Sequence, residues 1–123
     1  MGDDEARELL TATLDDLGDG NATVHVSGEI DISSAEVITA RFQEIASGQY
    51  RNVILDTSEV TFMDSSGLHA LIECKRILHD SGTRVILVSS KAVKRILELV
   101  FPEPLFAMRV DTSEEALAAL DGS

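Results

Sequence analysis

The sequence predicts a single α/β domain with a mixed, mostly parallel β-sheet and the element order ββαβαβαβα. Three observations carry this. Val53-Ile54-Leu55 and Val85-Ile86-Leu87-Val88 are short unbroken apolar runs, the mark of strands covered by helices. Between and after them, apolar residues recur at helical spacing. Ahead of them lies a period-two stretch interrupted by a turn. Strands alternating with helices require right-handed crossovers and parallel pairing, and the leading hairpin adds an antiparallel edge.

The elements follow in order. Leu10, Ala12 and Leu14 share one face of a strand, a turn spans residues 15–21, and Val24 and Val26 open the returning strand. Ser33-Ser34-Ala35-Glu36 has capping-box spacing, and Ile38, Phe42 and Ile45 continue it as a helix over about 34–47, ended by Gly48. The two apolar runs form the centre of the sheet. Leu68, Leu71, Ile72, Cys74 and Leu78 make the buried stripe of a helix over about 66–80, with His69, Glu73, Arg76 and Asp80 opposite and Gly82 closing it. A third helix carries Val93, Ile96, Leu97 and Val100 inward, and Pro102 and Pro104 forbid its continuation. A short strand over 107–110 comes next. Thr112-Ser113-Glu114-Glu115 is a second capping box, opening a helix with Leu117 and Leu120.

Composition limits the function. In 123 residues, 22 acidic side chains face 10 basic ones, a formal charge of −12, which disfavours both a nucleic-acid backbone and an anionic lipid surface. Apolar residues make up 44% and charged ones 26%, as expected of one globular domain over residues 1–123 with its core at about 8–120. The single cysteine, Cys74, excludes an internal disulfide and reads as a small buried apolar residue rather than a redox sensor. Residues 1–6 lack the basic start and apolar core of a signal peptide, and no apolar run is long enough to span a membrane. A cytoplasmic protein is expected, and Asn21-Ala22-Thr23 is then a glycosylation sequon in form only.

Sites in such sheets are built on the loops leaving the carboxyl ends of strands. The most polar candidate is a loop over 56–63, which delivers Asp64-Ser65-Ser66-Gly67-Leu68 to the start of a helix. The unpaired N–H groups and the positive dipole end at that place accommodate a phosphoryl group on a first-turn hydroxyl. Gly67 keeps the turn free of bulk, so that another macromolecule can approach. Asp64, Ser65 and Ser66 are also ordinary helix-capping residues, and the local pattern alone does not overturn that reading. A serine hydrolase is excluded because Met63-Asp64-Ser65-Ser66-Gly67 lacks the first glycine of a nucleophile elbow. Neither a P-loop nor a dinucleotide fingerprint occurs, and His25, His69 and His79 have no metal-ligand spacing with each other or with Cys74. Lys91, Lys94 and Arg95 form one basic cluster, readable as a solvated helix face or as a contact surface.

Phe62-Met63-Asp64-Ser65-Ser66-Gly67-Leu68 resembles the motif of bacterial anti-sigma factor antagonists in the STAS domain family. The resemblance extends to Val26-Ser27-Gly28-Glu29-Ile30-Asp31, to Val53-Ile54-Leu55-Asp56 and to Val93-Lys94-Arg95-Ile96-Leu97. It implies partner switching in transcription regulation, with a stress response as the setting. The unphosphorylated antagonist binds an anti-sigma factor that is also a serine kinase and so releases the sigma factor. Phosphorylation at the first serine after the motif Asp, here Ser65, switches it off, and a PP2C-type phosphatase restores it. Asp31, Asp64, Ser65, Ser66 and Gly67 are the implied partner-binding residues, with Asp31 also readable as a helix-entry cap. No catalytic residue, metal or cofactor is implied, since ATP and magnesium belong to the kinase. The alternative within the family is a non-phosphorylated scaffold or an accessory subunit of a sensory or transport complex. The Pro102 and Pro104 segment departs from the small-residue turn usual before the last strand.

Overall fold

In the computed structural model, which describes residues 10–100 and 108–121, the predicted order of elements is present. The hairpin is β1 (Thr11–Gly18) and β2 (Asn21–Ile30), joined through Asp19 and Gly20 alone; the expected turn over 15–21 is narrower because Asp15 and Asp16 still pair with Thr23 and Ala22. Asp19 and Gly20 carry positive φ, 57° and 79°, as the tightest hairpin turns require. Then follow α1 (Ala35–Ala46), β3 (Asn52–Met63), α2 (Ser65–Asp80), β4 (Arg84–Ser89), α3 (Lys91–Val100), β5 (Met108–Val110) and α4 (Ser113–Asp121). The sheet order is β1-β2-β3-β4-β5, antiparallel between β1 and β2 and parallel elsewhere.

Side-chain alternation divides the core between the two faces of the sheet. Val53 and Leu55 of β3 and Val85 and Leu87 of β4 point to one face, where α1, α2 and α3 contribute Ile38, Phe42, Leu71, Leu78, Val93 and Leu97. Ile54, Ile86 and Val88 point to the other, where α4 covers them with Ala116. Each sheet face thus has its own helical cover, which is why the central strands read as unbroken apolar runs.

The sequence-based reading is corrected in four further places. Residues 56–63 are not a loop: β3 continues through them, because β2 supplies pairing partners as far as Ile30↔Met63. Register shifts between His25 and Ser27 and between Gly28 and Glu29 break the polar–apolar alternation that would have signalled a strand. The first capping box is displaced: α1 takes Ser34 rather than Ser33 as its N-cap, the Ser34 side chain makes no cap hydrogen bond, and the Ser33 hydroxyl donates to Asp31 Oδ1 (2.6 Å). The left-handed residue after α1 is Gln49 (φ 59°) rather than Gly48. Val100, expected inside, is half exposed.

Other local signals hold. Gly82 (φ 84°) ends α2 with its N–H on the His79 carbonyl, and the Thr83 N–H reaches Leu78. The second capping box is reciprocal, Glu115 N–H to Thr112 Oγ1 and Thr112 N–H to Glu115 Oε1, both 3.1 Å. The proline segment over 101–107 lies outside the described residues.

Candidate functional site

The parallel pairing of Ile30 with Met63 fixes the geometry of the candidate site. Residues that follow such a pair leave the sheet side by side, about 5 Å apart, so Asp31 and Asp64 emerge together at the carboxyl edge. The Asp64 N–H also points at the Ile30 carbonyl (3.4 Å). Asp64 is the N-cap of α2: its extended backbone turns the chain, its Oδ1 accepts the Gly67 N–H at 2.9 Å, and its carbonyl accepts the Leu68 N–H at 2.9 Å. The capping reading of Asp64 is therefore correct, and it is compatible with a functional role for the residue that follows.

Ser65 is the first residue of the 16-residue α2 and is exposed, with Ser66 half-buried behind it. Among the described residues Ser65 has no side-chain hydrogen bond. Its hydroxyl is an accessible group with no base hydrogen-bonded to it among the described residues, suited to accept a group from another molecule.

Gly67 works differently from the sequence-based expectation. It is buried, and an added Cβ would lie 2.1 Å from the Ile30 carbonyl oxygen and 2.8 Å from Met63 Cγ. The close approach that glycine allows here is that of α2 to the end of β2 within the same chain. That contact holds the Ser65 turn against the Asp31 turn.

The Asp31 carboxylate is held by its own loop. Oδ1 accepts from the Ser33 hydroxyl (2.6 Å), the Ser33 N–H (3.0 Å) and the Ser34 hydroxyl (3.4 Å). The bond from the Ser33 side chain is the main reason its pKa lies below the ordinary value, so the group is anionic at neutral pH. Next to it Ile32 is 78% exposed. The edge thus offers a neutral hydroxyl, two carboxylates and an apolar side chain to whatever approaches.

A second polar cluster lies on the face covered by α4, and sequence reasoning missed it. His25 Nδ1 and the Ser113 hydroxyl both bond to Oδ2 of the buried Asp56, each at 3.1 Å, while Oδ1 accepts the Ser58 N–H at 2.9 Å. Burial pushes the Asp56 carboxyl up, but the bonds from Ser58, Ser113 and His25 outweigh it and its pKa lies below the ordinary value. Although Ser, His and Asp meet here, both partners bind the carboxylate and the imidazole does not stand between it and the serine. A nucleophilic triad needs that interposition, so the cluster ties α4 to the sheet and does not activate a serine.

Cys74 is fully buried, and burial, aided by the Glu73 charge, pushes its thiol up, consistent with a packing role. Among the described residues no group of three His, Cys, Asp or Glu side chains is arranged to hold a metal. The basic cluster is split by the helix: Lys94 turns toward Asp111 (Nζ to Oδ1 3.6 Å), whereas Arg95 faces the end of β3.

The STAS domain family model matches residues 15–118, from the hairpin into α4. The chain belongs to the STAS domain family. An anti-sigma factor antagonist from Mycobacterium paratuberculosis has a similar structure, with a TM-score of 0.75 and 27% identity over 92% of this chain and 95% of that one. The anti-sigma factor antagonist SpoIIAA shares the fold. In its unphosphorylated form it gives a TM-score of 0.71 at 23% identity, over 92% of this chain and 98% of that one. The same protein, a Bacillus cell fate determinant, has also been solved in a phosphorylated form, with a TM-score of 0.65 at 24% identity over 89% and 99% of the two chains. In sequence, solute carrier family 26 member 10 of Mus musculus is 32% identical in a 77-residue alignment that covers 57% of this chain and 11% of that protein. This STAS domain therefore spans about a tenth of the length of that relative. Among the described residues no helix is long and apolar enough to cross a membrane.

Proposed function

We propose that this STAS domain is an anti-sigma factor antagonist of the cytoplasm, switched by phosphorylation of Ser65. The observation that carries the reading is the position of the Ser65 hydroxyl: exposed, without a side-chain partner among the described residues, at the N-terminus of α2 directly after Asp64, whose turn leaves the sheet beside that of Asp31. Unmodified, the edge formed by Ser65, Ser66, Asp31 and Asp64 packs against an anti-sigma factor that is also a serine kinase. The sigma factor is thereby released. The kinase transfers the γ-phosphoryl group of its ATP to Ser65 Oγ, taking up the hydroxyl proton and retaining ADP.

The modification adds about −1.5 to −2 charges. The unpaired N–H groups of the first turn accommodate that charge, so the helix is not melted by it. The partner surface, packed closely on a neutral hydroxyl, meets it together with Asp31 and Asp64 and is repelled. A PP2C-type phosphatase hydrolyses the ester and resets the switch. The domain itself performs no catalysis. Incubation with the cognate kinase and ATP is expected to add one phosphoryl group, about 80 Da, that Ser65→Ala abolishes. Labelling that moves to Ser66 in that variant refutes the assignment.

The similarity to a solute carrier favours a second reading, in which the domain is a non-phosphorylated accessory module. Stable binding to a partner that neither phosphorylates Ser65 nor senses a charge there would support it.

A further inference from the structure

We propose that the groove between the end of β3 and α3 is a second docking point for the partner that reads Ser65. Its occupant is an apolar side chain on an acidic segment of that partner. The inference rests on the switch described above and adds the chemistry the partner must present.

The groove exists because β3 outruns its neighbour. Pairing with β4 stops at Thr57↔Ser89, whereas pairing with β2 continues to Ile30↔Met63. Beyond Thr57, the edge of β3 turned away from β2 is therefore flanked by a helix instead of a strand. A strand would sit about 5 Å away, and a helix cannot approach so closely. The space left is about 340 Å³, with Phe62 and Met63 on one side and Ala92, Arg95, Ile96 and Leu99 on the other. The four helix residues recur at i, i+3, i+4 and i+7, a stripe of α3 separate from the buried Val93 and Leu97. Phe62 is 46% exposed and Leu99 76%. The volume suits a leucine- or phenylalanine-sized side chain with part of its backbone.

Charge selects the occupant. On a chain of net charge −12, the one charged side chain among the described residues that line the groove is a cation. Arg95 lines the groove and the exposed Lys91 lies one helical turn before it, and neither has an ion-pair partner among the described residues. A carboxylate-bearing segment is repelled by most of this surface and attracted here, which sets orientation as well as encounter rate. Met63 leads directly into Asp64 and Ser65, so one partner surface spans groove and hydroxyl together.

The test is steady-state phosphorylation of the full chain by the kinase that labels Ser65, comparing the parent with Arg95→Glu and Leu99→Ser. Both positions are exposed, so melting temperatures are expected to stay within about 4 °C of the parent. Arg95→Glu is expected to raise KM at least about tenfold at low salt, with the difference shrinking as salt is added. Leu99→Ser is expected to raise KM about threefold or more regardless of salt. In both, kcat stays within about twofold, because binding remote from the reacting hydroxyl is lost equally from ground and transition states. An unchanged KM in either folded variant overturns the groove assignment while leaving the Ser65 switch intact. So does a self-associated parent that Arg95→Glu converts to monomer, which assigns the groove to a second copy. Failure of the parent to be labelled at Ser65 overturns both.

Discussion

Replacing Gly67 with alanine tests the packing that positions the site. The new Cβ would lie 2.1 Å from the Ile30 carbonyl oxygen, 2.8 Å from the Ile30 carbonyl carbon and 2.8 Å from Met63 Cγ. Met63 Cγ belongs to a flexible side chain, but the Ile30 carbonyl is backbone in a paired strand, so relief requires α2 to move from β2 by more than 1 Å on the order of a van der Waals shortfall. Overpacking of this kind costs about 1–3 kcal/mol and at times more. Opposing it, alanine in place of glycine within a helix gains about 1 kcal/mol. With backbone as the obstacle the cost lies at the upper end, and the net expectation is a loss of about 2 kcal/mol. Urea denaturation of parent and variant, with Ser66→Ala as a control in the same turn, reads it directly from the midpoint at unchanged slope. The same displacement moves Ser65 away from Asp31, so phosphorylation of the folded variant should also slow. A Gly67→Ala protein as stable as the parent or more stable would show that α2 is not seated on Ile30, and the origin proposed for the site's geometry would be wrong.

Other expectations address the remaining features. Asp64→Ala removes the side-chain cap of α2 and should lower stability by about 0.5–2 kcal/mol, with Asp64→Ser or Asp64→Asn restoring most of it in thermal melts. Asp56→Asn should cost about 1–3 kcal/mol at pH 7, since an amide cannot accept all the bonds that Ser58, Ser113 and His25 supply. Because the Asp56 pKa lies below its ordinary value when folded, its contribution is complete above the unfolded value of about 4 and disappears as pH falls through the folded one. The stability curves of parent and Asp56→Asn should therefore converge at acid pH, and a gap independent of pH refutes the assignment. Cys74, buried with its thiol pushed up, should resist a thiol-specific reagent in the folded protein and react on unfolding; rapid native labelling would contradict its packing role.

What was legible in the sequence was what local interactions decide. The unbroken runs at residues 53–55 and 85–88, the stop at Gly82 and the Thr112 to Glu115 box each involve neighbours in the chain, and each appears as expected. What was misread depends on distant partners. Residues 56–63 are polar enough to resemble a loop, and the parallel ladder from β2 holds them extended. Ser33 and Glu36 have the spacing of a capping box, yet the helix starts after Ser34 and the Asp31 carboxylate captures the Ser33 hydroxyl. Gly67 could be recognised as a residue that permits a close approach, but the approaching atom, on Ile30, is set by strand register. The exposed Ser65 at the head of a helix followed from the motif and its order among the elements. The family resemblance groups Asp31 with Asp64 and Ser65 as partner-binding residues, and the Ile30↔Met63 register gives a physical reason for the Asp31 and Asp64 turns to lie side by side. Neither the Asp56 cluster nor the β3–α3 groove was legible, because each joins elements far apart in sequence.

The switch itself is tested most directly by titrating Ser65→Ala and Ser65→Glu against the kinase partner. Alanine removes a hydroxyl without adding charge, so its affinity should remain within about 1.5 kcal/mol of the parent, the net value of one hydrogen bond. Glutamate carries one charge and fewer oxygens than a phosphate, so it imitates the modified state incompletely. Even so, the account predicts binding at least about tenfold weaker for Ser65→Glu than for Ser65→Ala, a difference of about 1.4 kcal/mol that narrows as salt screens the repulsion. Equal affinity of the two folded variants contradicts the account, because it means that charge at residue 65 does not control the partner.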